Sequence, residues 1–182
     1  MITTEEYIQL KAFARIDGIY LALVWIVSFA CYVGGFTSPV LSMVASLTAL
    51  ASPLFAAYRL RRFRDDVREG VISYRRAVAY FVLMFVYASL LFALAQYVYF
   101  AFIDQGYLIG QYTTMMSASE VQTLLQTYGM TKAQVSDMLR QMQDITPVYF
   151  VFQVLMMNIV LGFVLGIPMG LLTKRRQRQE RY

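Results

Sequence analysis

The sequence predicts an all-α integral membrane protein with four transmembrane helices and a small outer helical cap between spans three and four. Three observations carry that prediction. Gly18 to Tyr58 and Ala77 to Ile103 contain no charged residue. Charged residues make up only 15% of the 182-residue chain and hydrophobic residues 59%, where an ordinary soluble domain carries about 25% charged residues. Between the two uncharged runs, Arg59 to Arg76 (RLRRFRDDVREGVISYRR) concentrates seven of the sixteen basic residues. A basic segment flanked by such runs is the pattern of a loop kept on the cytoplasmic side of a membrane. The expected organisation is one membrane domain over residues 1–182, with spans at about 18–33, 40–58, 77–103 and 148–172.

Met1 to Asp17 reads as a short amphipathic helix along the inner surface, with a frayed terminus as the alternative. Thr3 and Glu6 have capping-box spacing, and Tyr7, Ile8, Leu10, Phe13 and Ala14 oppose Glu6, Gln9 and Lys11. The segment holds Glu5, Glu6 and Asp17 and is not net basic, and the stretch before Cys31 lacks the aliphatic residue of a lipoprotein box. Span one is therefore expected to be retained.

Gly18 to Tyr58 is 41 residues, about 60 Å as a single helix, or twice a hydrocarbon core. Gly34-Gly35-Phe36-Thr37 and Ser38-Pro39 interrupt it, the first as an outer turn and the second as a cap with proline at the first helical position. Spans one and two thus form a helical hairpin. The basic segment, 59–76, continues span two as helix, with Arg61 and Asp65, and Arg62 and Asp66, spaced to pair along its surface. Gly70 is the expected stop and Ser73 the cap of the next helix.

Span three carries Tyr74 and Tyr80 at its inner end and Tyr97, Tyr99, Phe100 and Phe102 at its outer end, an aromatic belt at each interface. The polar cap, 105–146, contains two apparent capping boxes, Ser117 with Glu120 and Thr131 with Gln134. Each precedes an amphipathic pattern, and Gly129 separates them, so two short helices are expected. Methionines 115, 116, 130, 138 and 142 give that cap an adaptable apolar face.

The basic residues decide orientation. Lys11, Arg15, the seven arginines of the central segment and the five basic residues from Lys174 onward make fourteen on one side, against Lys132 and Arg140 on the other. Both termini and the central loop are expected in the cytoplasm and the cap outside.

Little in the chain points to catalysis. It has no histidine and one cysteine, Cys31, which excludes Ser-His arrangements, internal disulfides and metal sites built on His and Cys. No Asp, Glu, Lys or Arg falls in the expected span cores, which argues against an ion-coupled carrier. Asp65, Asp66 and Glu69 are the one acidic cluster. A metal-assisted reaction on a lipid phosphate is one reading of it, and helix-surface ion pairs are the favoured one. No catalytic, cofactor-binding or metal-binding residue is assigned.

Two contact surfaces remain. Arg59, Arg61, Arg62, Arg64, Arg68, Arg75 and Arg76 form the candidate cytoplasmic surface for anionic lipid or a protein partner; nucleic acid is not expected, because topology already explains the charge. Asn158, Gly162, Gly166 and Gly170, each four residues apart, lie on one face of span four, where small residues let another helix backbone approach. That face serves either a homo-oligomer or partner contact, or, as favoured, packing within a four-helix bundle against Ser38-Ser42-Ser46 or Ala45-Ala49 of span two. The leading expectation is a non-enzymatic accessory or scaffold protein. The polar Ser, Thr, Tyr, Gln and Asn positions in the spans motivate a small permease or lipid-handling protein as the alternative.

Several short motifs in order carry a resemblance: Asp17-Gly18, Arg64-Asp65, Gly70-Val71-Ile72-Ser73-Tyr74, Tyr99 through Ile103-Asp104, and a glycine-bearing last span ending in basic residues. Over roughly Leu10 to Arg175 the chain resembles a bacterial inner-membrane family known as domain of unknown function 4199. The resemblance implies a bacterial inner-membrane location and lends no functional residues. Genes of that family tend to sit beside a membrane-associated glycosyltransferase, which implies such an enzyme as a partner.

Overall fold

Gly34 to Thr37 is the first turn the chain makes, and the helices on either side of it set the frame. In the computed structural model, which describes residues 4–144 and 146–175, α1 runs from Thr4 to Gly34 and α2 from Pro39 to Arg62. The Thr37 hydroxyl and amide both donate to the Gly34 carbonyl, and Pro39 opens α2 where its missing N–H costs nothing. Ser28 of α1 donates its hydroxyl to the Ala45 carbonyl of α2 at 3.0 Å, fixing the antiparallel register of the hairpin.

α1 is one uninterrupted helix, so the surface helix expected before Asp17 and span one are continuous. No residue between them breaks the helix, and Gly18 is there for packing. A Cβ on it would lie 2.7 Å from the Tyr87 Cβ and 2.9 Å from the Met84 carbonyl oxygen. Its inward face is Leu10, Ala14, Asp17, Leu21 and Trp25. Lys11, Tyr7 and Ile8 are exposed together, so the expected division into one apolar and one charged side does not hold.

Pro53 stands inside α2 and cannot donate to the Ala49 carbonyl; the Ser52 hydroxyl donates to that oxygen at 2.8 Å and satisfies it. α2 ends in a widened π turn, Phe63–Val67. Gly70, at φ 78°, then takes the left-handed conformation that stops the segment, as expected.

α3 spans Tyr74–Val98, begins directly after Ser73, and ends in a second π turn, Tyr99–Ile103. α4 (Tyr107–Ser117), α5 (Ser119–Thr127) and α6 (Lys132–Gln143) follow, then α7 (Pro147–Thr173). The polar region thus holds three helices where two were expected. Asp104 starts the extra one by accepting from the Leu108 and Gly106 amides. Of the two expected capping boxes, Thr131–Gln134 forms, with the Thr131 amide 2.8 Å from the Gln134 side-chain oxygen. Ser117–Glu120 does not: Ser117 is the last residue of α4 and donates back to the Thr113 carbonyl. Thr3, Ile145 and the tail from Arg176 onward lie outside the described residues.

Among the described residues, four helices are long and apolar enough to cross a membrane: Thr4–Gly34, Pro39–Val67, Tyr74–Ile103 and Pro147–Thr173. Leu50 is 76% exposed, Met157 75% and Leu172 68%, apolar surface of a kind that suits hydrocarbon rather than water. Among the described residues there is no strand, only one isolated antiparallel bridge between Ile72 and Arg175.

The chain forms two compact units, one built from residues up to Ala95 and from Gln153 on, the other Gln96–Phe152. In the first, α7 packs on α3 through its glycines. A Cβ on Gly162 would lie 2.6 Å from the Phe85 Cβ, and one on Gly170 2.6 Å from a Val78 methyl. The glycine face therefore meets span three, where the sequence had put span two opposite it. In the second unit, α4, α5 and α6 enclose a cleft of about 120 Å³ lined by Met116, Leu125, Met130 and Leu139. That is below the roughly 300 Å³ at which ligand pockets begin.

Gly162→Leu is expected to lower unfolding stability in detergent by about 1–3 kcal/mol. Gly110→Ala, inside α4 where a Cβ meets nothing within 4 Å, is expected to keep or raise stability, by up to about 1 kcal/mol.

Candidate functional site: a buried ion-pair network at the basic end

Asp17 is 3% exposed although it carries a carboxylate, and an isolated buried charge is strongly unfavourable. Both of its oxygens are met. Arg59, at the end of α2, donates Nε to Asp17 Oδ1 at 2.8 Å and Nη2 to the same oxygen, and the Tyr80 hydroxyl of α3 donates to Oδ2. The Arg59 guanidinium also lies 5.0 Å from the centroid of the Tyr20 ring, a cation–π contact. Phe63 stacks on Tyr80 with ring centroids 4.4 Å apart and closes the site from the π turn. One carboxylate thus joins α1, α2 and α3.

The same end carries further ties. Glu6 accepts from Arg68 at 2.8 Å and from Arg76. Arg64 is 8% exposed; it grips Asp65 with two nitrogens at 2.7 and 2.8 Å and donates to the Thr173 carbonyl at 3.0 Å. That last bond and the Ile72–Arg175 backbone pair fasten the central segment to the end of α7. The π turn makes this possible, because its wider coil turns Arg64 inward while Asp65 and Asp66 stay exposed.

The seven arginines taken as a contact surface therefore divide. Arg59, Arg62, Arg64, Arg68 and Arg76 are engaged in ion pairs with Asp17, Asp66, Asp65, Glu6 and Glu6. Arg61 and Arg75 are exposed, along with Lys11, Arg15, Lys174 and Arg175. Of the two helix-surface pairs expected, Arg62–Asp66 forms at 3.0 Å; Asp65 is held by Arg64 rather than Arg61. Asp65 and Asp66 are thus both engaged by arginines, and among the described residues no group of three or more metal-ligating side chains converges.

Sequence reasoning missed Asp17 as a site residue, because it was placed on a surface helix outside the spans. A signal was present. Asp17 and Arg59 stand at comparable distances before and after the hairpin turn, so the antiparallel pairing brings acid and base together. Of the span-four stripe, Asn158 contributes to a groove rather than to the close glycine contacts. It lines an open groove of about 390 Å³ with Trp25, Phe29, Ala49, Ser52 and Phe92. The small-residue face of α2 lines that groove instead of packing on α7.

Tyr80→Phe, which strips Asp17 Oδ2 of its donor, is expected to cost about 1.5–3 kcal/mol of stability in detergent. Tyr20→Phe keeps the ring under Arg59 and is expected to stay within about 0.5 kcal/mol of the parent.

No curated protein and no solved structure gives a match to the chain. A family match covers residues 17–175, from the buried aspartate to the residue paired with Ile72. The chain belongs to the family described as Protein of unknown function (DUF4199).

Proposed function

We propose that the protein is a non-enzymatic accessory or scaffold protein of the bacterial inner membrane, with both termini and the Arg59–Arg76 segment in the cytoplasm. Its basic end engages anionic lipid and a membrane-associated protein partner. The observation that carries this reading is the split among the basic residues. Internal ion pairs brace the helix ends, and Lys11, Arg15, Arg61, Arg75, Lys174 and Arg175 remain exposed on the braced surface. Fixed cations beside apolar spans suit an anionic leaflet or an acidic partner surface. A glycosyltransferase, implied by gene neighbourhood in the family, is the first partner to seek, and self-association through exposed α7 is the second.

The groove of about 390 Å³ favours a second reading, a lipid-handling protein. Trp25, Phe29 and Phe92 supply aromatic lining, and Ser46, Ser52 and Asn158 add polar groups to it. A photoactivatable lipid that crosslinks to the parent but not to Ala49→Trp supports this reading; equal crosslinking to both removes it.

In a Cys31→Ser background, an impermeant thiol reagent added outside intact cells is expected to label Ser119→Cys and to leave Ser73→Cys unlabelled. The reverse pattern overturns the orientation. Crosslinking followed by purification in mild detergent is expected to retain a partner and to lose it in Arg61→Glu/Arg75→Glu. A protein that always elutes alone counts against the scaffold role.

A further inference from the structure

α1 has two charged faces, and they differ in kind. Glu6 and Asp17 turn toward arginines of the central segment and α3 and are neutralised there. Lys11 and Arg15, one turn apart, lie on another side of the helix, are exposed, and among the described residues form no ion pair. Together with Tyr7, Ile8, Ala12 and Tyr87 of α3 they line a cleft of about 350 Å³.

Two other polar clefts open at this end, and neither carries uncompensated positive charge. One, of about 280 Å³, sets Arg59 and Arg62 against Asp17 and Asp66, and both arginines are already paired. The other holds Arg68, paired to Glu6, beside Glu69. Of the three, the Lys11–Arg15 cleft combines two cations that form no ion pair among the described residues with tyrosine rings and no acid in its lining.

The cleft also sits at the edge of the apolar run of α1. Arg15 stands three residues before Gly18, where the uncharged run begins. Beyond it, Ile19 and Leu23 are 43% and 53% exposed. A ligand seated here meets cations first and then an open apolar track, the order in which a phospholipid presents phosphate and acyl chain. Arginine matches phosphate oxygens in a bidentate fork, and lysine adds a point charge.

We infer that the Lys11–Arg15 cleft, with Tyr87 as its α3 wall, is a binding site for the phosphate headgroup of an anionic phospholipid. The inference deepens the reading of the basic end as facing an anionic leaflet, and rests on it.

The test uses the full chain reconstituted in mixed phosphatidylglycerol and phosphatidylcholine vesicles, with spin-labelled lipids reporting the preference for the anionic headgroup at the protein surface. Two variants remove equal charge: Lys11→Gln/Arg15→Gln at the cleft and Arg61→Gln/Arg75→Gln away from it. The cleft variant is expected to weaken site-bound anionic lipid on the order of thirtyfold, about fivefold per cation. The distal variant removes two other cations of the basic end and is expected to weaken the preference far less than the cleft variant does, Lys11→Arg/Arg15→Lys to retain it, and added inorganic phosphate not to compete. Equal loss in both glutamine variants means a diffuse surface and overturns the site. Loss in the distal variant alone overturns the site while leaving the broader reading standing. A parent protein with no anionic preference overturns both, and competition by inorganic phosphate overturns the lipid as ligand. Both residues are exposed, so unchanged thermal unfolding of the cleft variant in detergent is expected and is checked alongside.

Discussion

A carboxylate that cannot reach water has to be met by cations and donors, and at Asp17 this requirement organises one whole end of the molecule. Three helices meet there because each brings something the carboxylate needs: α1 the acid, α2 the guanidinium of Arg59, α3 the hydroxyl of Tyr80. Breaking such a pair leaves a buried charge unmatched and typically costs about 3–5 kcal/mol, even where the intact pair adds little net stability. The network is thus better understood as a device that fixes which helix ends meet than as a source of stability. Glu6 with Arg68 and Arg76, and Arg64 with Thr173, repeat the device around it.

Away from that end, charge gives way to close approach. Gly18 on α1 and Gly162 and Gly170 on α7 all let a backbone settle against α3, as suits helices that gain nothing from excluding water between them. α3 is accordingly the best buried of the four long helices, with 56% of its apolar window covered against 17% for α7. The small residues of α2 do not meet α7: Ala45 is buried and accepts from Ser28 of α1, and Ser46 and Ala49 line a groove. What looked like one packing motif in the sequence therefore serves two ends.

Much of this was legible in the residues. The uncharged runs, the Gly34–Ser38 turn and the Gly70 stop are local features, and each sits where helix and turn chemistry places it. The four spans, too, follow from length and apolarity alone. The partners of Arg64 and the helix facing Gly162 were not legible, because they depend on which helix lies beside which, and helical periodicity fixes a face without naming its neighbour. α4 was missed because its start rests on Asp104 accepting from the Gly106 and Leu108 amides, with Gly106 left-handed, a pattern unlike a capping box. Asp17 was misread for a different reason. The distribution of basic residues sets orientation without saying which acid meets which base across the hairpin.

The ion pair between Asp17 and Arg59 is the central claim, and a double-mutant cycle tests it most directly. Asp17→Leu, Arg59→Leu and the combined variant would be unfolded in detergent beside the parent. The account predicts strong coupling, with the double variant more stable than the sum of the single losses implies, by about 2 kcal/mol or more. Additive losses would contradict it and would reduce the pair to two neighbouring side chains.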